Sequence, residues 1–184
     1  MEIRQANESD LTFAAALMIQ THAAHVRAYP HRYRPISDED AETVLRERLE
    51  GEENLVVATQ DDRRLGYAIF TTIDSPATGL LKSRRFCYLM QIGVDPGARG
   101  QGVGRALIRH VREICRQGGI AEIELDVWAF NTAGRRFFEK VGFDVCGTRM
   151  RASHTCRRTG DLVRPSSVPP VERQASRSSQ LEGL

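Results

Sequence analysis

The segment Val94-Asp95-Pro96-Gly97, followed by Arg99-Gly100-Gln101-Gly102-Val103-Gly104-Arg105, has the residue types and order to hold a phosphorylated ligand. An apolar run ends at Val94, a tight turn follows, and a helical pattern begins at Gly102. Glycines let a backbone approach a ligand closely and adopt positive φ. The first N–H groups of a helix have no partner within it and attract anions. A cation misplaced at a helix start costs about 0.3–1 kcal/mol. Arg99 and Arg105 stand there with no acid after Asp95, and a bound anion would reverse that penalty. The bland alternative is a glycine-rich tight turn. A Walker A loop is excluded, because Gly104 is followed by Arg105-Ala106 rather than Lys-Ser/Thr. A dinucleotide fingerprint fits poorly, since the third small residue falls on Arg105 or Leu107.

A second stretch with chemical potential is His25-Val26-Arg27-Ala28-Tyr29-Pro30-His31-Arg32-Tyr33-Arg34. Its mixed cations and aromatics could line a pocket that attracts an acidic substrate, or form an ordinary surface loop. The four cysteines, Cys87, Cys115, Cys146 and Cys156, make no CxxC pair and no zinc-like cluster, so no metal is expected.

The elements that must position these residues follow from hydrophobic period. Ile3 to Ala6 reads as a strand. Glu8-Ser9-Asp10 opens a helix carrying Leu11, Ala14, Ala15, Met18 and Ile19, broken at Tyr29-Pro30. Ser37-Asp38-Glu39-Asp40 opens a second helix, ended by Gly51. Leu55 to Thr59 and Leu65 to Ile73 form a hairpin around a polar turn. Asp74 to Arg85 is expected to be a loop, and Phe86 to Val94 a strand. The helix from Gly102 to Gln117 puts Val103, Leu107, Val111, Ile114 and Cys115 on one face and four arginines on the other. Ile120 to Trp128 is expected to be a strand, Thr132 to Lys140 a short helix, and a last strand is expected through Val145.

The chain has 184 residues, 41% of them hydrophobic, and a net charge of +2, which suits one globular domain and gives no electrostatic reason to expect nucleic acid. Only Lys82 and Lys140 are lysines, a bias that fits a GC-rich bacterial genome. No apolar run approaches the roughly 20 residues of a membrane span, and the first residues lack the order of a signal peptide. A cytoplasmic protein without membrane partners is the expectation. From Thr155 the chain is rich in Ser, Arg and Pro and too poor in apolar residues to offset its ordering entropy, so 155–184 reads as a disordered tail behind a domain at 1–154.

The pattern Arg99-x-x-Gly102-x-Gly104 resembles the pyrophosphate loop of the GNAT acetyltransferases. Met90-Gln91-Ile92-Gly93-Val94-Asp95-Pro96 is similar to that family's fourth strand and turn. Trp128 through Phe143, with Asn131, Phe138 and Gly142-Phe143, is similar to its fifth strand and following helix. The resemblance runs over roughly Ile3 to Val145. It implies an α/β (α+β) GNAT fold: a central mixed, mostly antiparallel sheet flanked by helices, with the fourth and fifth strands splayed at the cofactor site. It also implies acetyl-CoA as co-substrate, with its pantetheine arm on the backbone of Ile92 and Val94. Its pyrophosphate would lie on Arg99, Gly100, Gln101, Gly102, Val103, Gly104 and Arg105, with Asn131 and Phe138 near the arm. The Ile92 N–H would polarise the acetyl carbonyl.

The implied reaction is direct attack of an amine, on a small molecule or a peptide, upon the thioester. A lysine-like amine of pKa ~10.4 is only about one part in a thousand neutral near pH 7.4, so a base or water chain must take its proton. Two residues depart from the family pattern. Phe138 stands where many members carry a tyrosine acid, and Met90 where many carry a glutamate. A coenzyme A thiol, near the ~8.5 of cysteine, can leave without a dedicated acid. Substitute groups are Tyr88, Gln91, Glu124 and Asp126, together with His22 and His25. His22, His25 and Tyr29 lie at the expected acceptor side. Ordinary solvated or ion-paired roles remain open for each. Rival readings are an acyl-CoA-binding module with weak or no catalysis, and an unrelated nucleotide-binding protein. A monomer or homodimer is expected.

Overall fold

A computed structural model describes residues 1–152. Met1–Phe143 form one compact unit. Residues 144–152, which belong to a second unit, contain no regular secondary structure. The expected tail at 155–184 lies outside the described residues.

The first unit begins with β1 (Glu2–Gln5), a single 3₁₀ turn (Glu8–Asp10), α1 (Leu11–Ala28) and α2 (Asp38–Glu50). It continues with β2 (Asn54–Gln60), β3 (Arg63–Ser75), β4 (Arg84–Val94), α3 (Val103–Gln117), β5 (Ile123–Glu124) and α4 (Thr132–Lys140). The five strands form one sheet in the order β1-β2-β3-β4-β5. All neighbours are antiparallel except β4 and β5, which run parallel. Helix starts carry the expected chemistry. Ser37 accepts a hydrogen bond from the Asp40 N–H at 3.0 Å, and Asn7 accepts from Ser9 at 3.0 Å.

Three expectations from the sequence are corrected. The β3–β4 hairpin is longer than its apolar residues suggest, because Asp74 pairs with Arg85 and Ser75 with Arg84, leaving only residues 76–83 as the loop. The strand expected from Ile120 to Trp128 shrinks to Ile123–Glu124. The last strand expected through Val145 is absent among the described residues, and Val145 is 59% exposed.

The sheet separates two apolar layers. On one side Leu11, Ala14, Met18, Ala41 and Leu45 of α1 and α2 cover Leu55, Val57, Tyr67 and Ile69. On the other, Val103, Leu107, Val111 and Cys115 of α3 cover Val56, Ala58, Ala68, Phe70, Cys87 and Leu89. Alternating side chains of β2 and β3 supply both layers, as strand geometry requires.

In β4 the alternation slips. Phe70 faces Leu89 and Ile69 faces Gln91, so Met90 is an extra residue with no partner of its own. Such a bulge bends its strand and increases the local twist. Before it, Cys87 and Leu89 face the α3 layer; after it, Ile92 and Val94 do. Met90 faces α2, where its sulfur lies 3.9 Å from an Arg48 Nη1. β5 pairs with β4 only before the bulge, through Cys87–Ile123 and Tyr88–Glu124. Beyond it the two segments part.

One buried charge ties β1, the 3₁₀ turn and β3 together. The Asp10 side chain is fully buried and accepts hydrogen bonds from Arg4 at 2.7 and 3.0 Å, Arg64 Nε at 2.6 Å and the Asn7 N–H at 2.9 Å. Burial alone would raise its pKa. The Arg4, Asn7 and Arg64 bonds outweigh burial and hold the carboxyl well below the usual carboxylate range.

Candidate functional site

The glycine-rich turn leaves β4 at Val94. Asp95 accepts from the Gly97 N–H at 2.8 Å, Pro96–Ala98 form a 3₁₀ turn, and Gln101 Nε2 donates to the Gly97 carbonyl at 2.9 Å. Gly100 and Gly102 have φ of +78° and +85°, where a side chain is strained. A Cβ at either would meet no atom within 4 Å, so the space above the turn is open. Gly102 is the N-cap of α3, and no side chain caps the helix. The first-turn donors of Val103, Gly104 and Arg105 therefore sit beneath open space with exposed Arg99 and Arg105 beside them.

Gly104 is required for a different reason. A Cβ there would lie 3.0 Å from the Phe137 ring and 3.7 Å from Val94, so α4 packs directly on the start of α3. Phe138 contacts the Phe137 and Phe143 rings at 5.1 and 5.6 Å. Asn131 caps α4 through Oδ1 to the Gly134 N–H at 2.9 Å, which leaves its amide NH2 for another partner.

The opening between β4 and β5 starts where their pairing stops. Tyr88–Glu124 is the last pair between the two strands. On the α1 side of this opening lie Tyr88, Gln91 and Gly93. Tyr88 donates to Asp126 Oδ2 at 3.0 Å, joining two of the candidate residues across the mouth. Glu124 is ion-paired with Arg84. Gln91 Oε1 accepts from the Tyr67 hydroxyl at 2.9 Å. Tyr67 is fully buried, burial pushes its pKa well above the usual range, and it stays a proton donor. Gln91 is thereby fixed with its NH2 as the outward group, so it can donate a hydrogen bond but not accept a proton. Nothing in the local sequence pairs Tyr67 with Gln91, because the contact depends on β3–β4 register. Tyr67→Phe should cost about 1 kcal/mol in urea unfolding.

His22, His25 and Tyr29 divide. His22 Nε2 bonds the Arg34 carbonyl at 2.6 Å and pins the chain that follows α1. His25 and Tyr29 join an aromatic cluster with Tyr33, Trp128 and Phe130: His25 lies 5.1 Å from Phe130, and Tyr29 5.0 Å from Trp128. The Arg32 guanidinium stacks 4.9 Å from the Trp128 ring. Periodicity alone did not single out Trp128 and Phe130 as members of this cluster. Cys87 and Cys115 are buried and free, and burial raises both thiols, so neither is a nucleophile at neutral pH. Among the described residues no His, Cys, Asp and Glu group could hold a metal, and no helix is long and apolar enough to cross a membrane.

The sequence model of the Acetyltransferase (GNAT) family matches residues 18–143. The [ribosomal protein bS18]-alanine N-acetyltransferase of Escherichia coli K12 is 33% identical over 86 residues, 47% of this chain and 51% of that protein. The streptothricin acetyltransferase of Streptomyces lavendulae is 38% identical over 56 residues, 30% of each chain. The chain thus spans about half or less of these relatives' length. A tetramutant of the BH1408 protein from Bacillus halodurans superposes with a TM-score of 0.77 at 25% identity, covering 83% of this chain and 99% of that one. An aminoglycoside 6'-N-acetyltransferase of Acinetobacter haemolyticus shares the fold, with a TM-score of 0.64 at 17% identity over 85% of this chain and 100% of the other. With a match from Met18 to Phe143 that includes the β4 bulge, the glycine-rich turn and the α3–α4 contact, the chain belongs to the GNAT acetyltransferase family.

Proposed function

We propose that this chain is an acetyl-CoA-dependent N-acetyltransferase acting on a primary amine of a small molecule or peptide. The observation that carries the reading is the uncapped start of α3 behind two positive-φ glycines under open space. There the backbone N–H groups from Gly100 to Arg105, flanked by Arg99, would hold the pyrophosphate. The opening between β4 and β5 would take the pantetheine arm, along Ile92 and Val94 and beside Asn131 and Phe138. Bound acetyl-CoA supplies an activated acyl group. The chain's part is to orient it, to polarise its carbonyl with the Ile92 N–H, and to receive the amine's proton. The family match and relatives named for alanine and streptothricin acetylation support an amine acceptor. Bacterial relatives support a bacterial setting, in which we infer a cytoplasmic monomer or homodimer.

A second reading, an acyl-CoA-binding module with weak or no catalysis, is favoured by Phe138, which offers no hydroxyl to the leaving sulfur. Two measurements separate the readings. Calorimetric titration of the full chain with acetyl-, propionyl- and free coenzyme A should show binding; its absence with all three would end both. Thiol release with tetra-alanine and with streptothricin should then show turnover. Binding with no release beyond solvent hydrolysis would favour the second reading.

A further inference from the structure

We propose that His25 is the general base that takes the acceptor ammonium's proton. This rests on the transferase reading above and extends it. Two other groups beside the opening cannot accept the proton, and a third already accepts a hydrogen bond. Met90 is apolar and turned toward Arg48, Gln91 is an amide held by Tyr67, and Asp126 is held by Tyr88.

His25 differs in two respects. Its Nδ1 lies 3.0 Å from the Thr21 carbonyl, which can only accept, so the ring hydrogen belongs on Nδ1 and the Nε2 lone pair is left for a ligand. Its position is also suitable. Met18, His22 and His25 fall on one face of α1, so the stripe that packs on the sheet continues into the histidines. Leu17 of the same helix would touch a Cβ on Gly93 at 3.4 Å, and His25 meets Trp128 and Phe130 at 6.4 and 5.1 Å. α1 therefore runs from β4 to the segment after β5, where His25 meets Trp128 and Phe130.

The groups facing the ring are His22 from its own helix, Tyr33 with Arg32 from the chain that follows, and the neutral Trp128 and Phe130. Burial lowers the His25 pKa, the Thr21 carbonyl partly restores it, and His22 lowers it further. The net shift is downward, so the imidazole is neutral at pH 7 and able to accept. In the step, Nε2 takes one proton from the ammonium and the freed lone pair forms the C–N bond. The carbonyl π pair moves to oxygen and returns as the C–S bond breaks. The departing thiolate gains the second amine proton, and the imidazolium returns its proton to solvent.

The ¹⁵N spectrum of labelled protein, assigned with His25→Gln, should show hydrogen on Nδ1 and titration below ~6.5. His25→Gln and His25→Phe should bind acetyl-CoA as the wild type does. Each should lose about 100-fold in kcat with tetra-alanine and lose the acid limb of the rate profile. Hydrogen on Nε2 at pH 7.5, titration above ~7, or kcat kept by His25→Phe would overturn the proposal. The imidazole spectrum decides whether or not tetra-alanine is a substrate. Failure of the wild type to bind acetyl-CoA would instead end the transferase reading.

Discussion

Gly102→Asp is expected to weaken acetyl-CoA binding at least 100-fold in calorimetry while leaving the protein folded. Asp is a favoured N-cap residue and tolerates positive φ better than most side chains. At position 102, with φ of +85° and no capping side chain in the native protein, the new carboxylate can bond the first-turn N–H groups of α3. It would then occupy the donors that the pyrophosphate needs and place a negative charge among them. Hydrogen bonds to charged groups are worth about 1.5–3 kcal/mol each, and 1.4 kcal/mol is tenfold in affinity. Two lost bonds account for the expected effect before repulsion is added. Gly102→Ala supplies backbone strain without a cap and should weaken binding less. Equal affinity in wild type and Gly102→Asp would mean that the phosphates lie elsewhere.

Asp10→Ala is expected to cost about 3 kcal/mol of unfolding free energy, at the lower end for breaking a buried ion pair. The lower end applies because Arg4 and Arg64 keep 34% and 32% of their side-chain surface exposed and can be rehydrated. Either arginine substituted alone should cost less, since Asp10 keeps the other. The native-state pKa of Asp10 lies below its unfolded value. Its contribution is therefore complete above the unfolded pKa near ~4 and is lost as pH falls from there toward the native value. Urea unfolding from pH 7 to pH 3 should show the wild type losing stability faster than Asp10→Ala in that window. Parallel curves would show that Asp10 is not the group responsible.

The parts legible in the sequence are those set by neighbours along the chain. The turn from Val94 to Gly102 follows from proline, glycine and the onset of a helical stripe, and Ser37 announces a helix start. Hairpin length was misread because Asp74, Ser75, Arg84 and Arg85 are polar on both faces, and pairing there shows no apolar alternation. The bulge was not legible, since Met90 is extra only relative to β3. The short β5 has the same origin: Ile123, Leu125 and Val127 alternate as a strand should, but a bent partner offers them no ladder. The Tyr67–Gln91 bond and the Arg4–Asp10–Arg64 clamp join residues 24 and up to 54 positions apart, beyond any local pattern. His25 was visible as a candidate, yet its tautomer came only from the Thr21 carbonyl.

The extra residue in β4 also sets the reading frame of the strand's two faces. Deleting Met90 would make β4 more regular and remove the bend at which its pairing with β5 ends. Leu89 and Gln91 would become neighbours and still face Phe70 and Ile69, so Ile92 and Val94 would keep facing α3 on a straighter strand. A side chain at position 93 already has no room, since its Cβ would come within 2.5 Å of the Tyr67 ring. A saturation scan along β4 should therefore show a two-residue rhythm of tolerance that changes beat at position 90. The strand is functional because it is out of phase with itself.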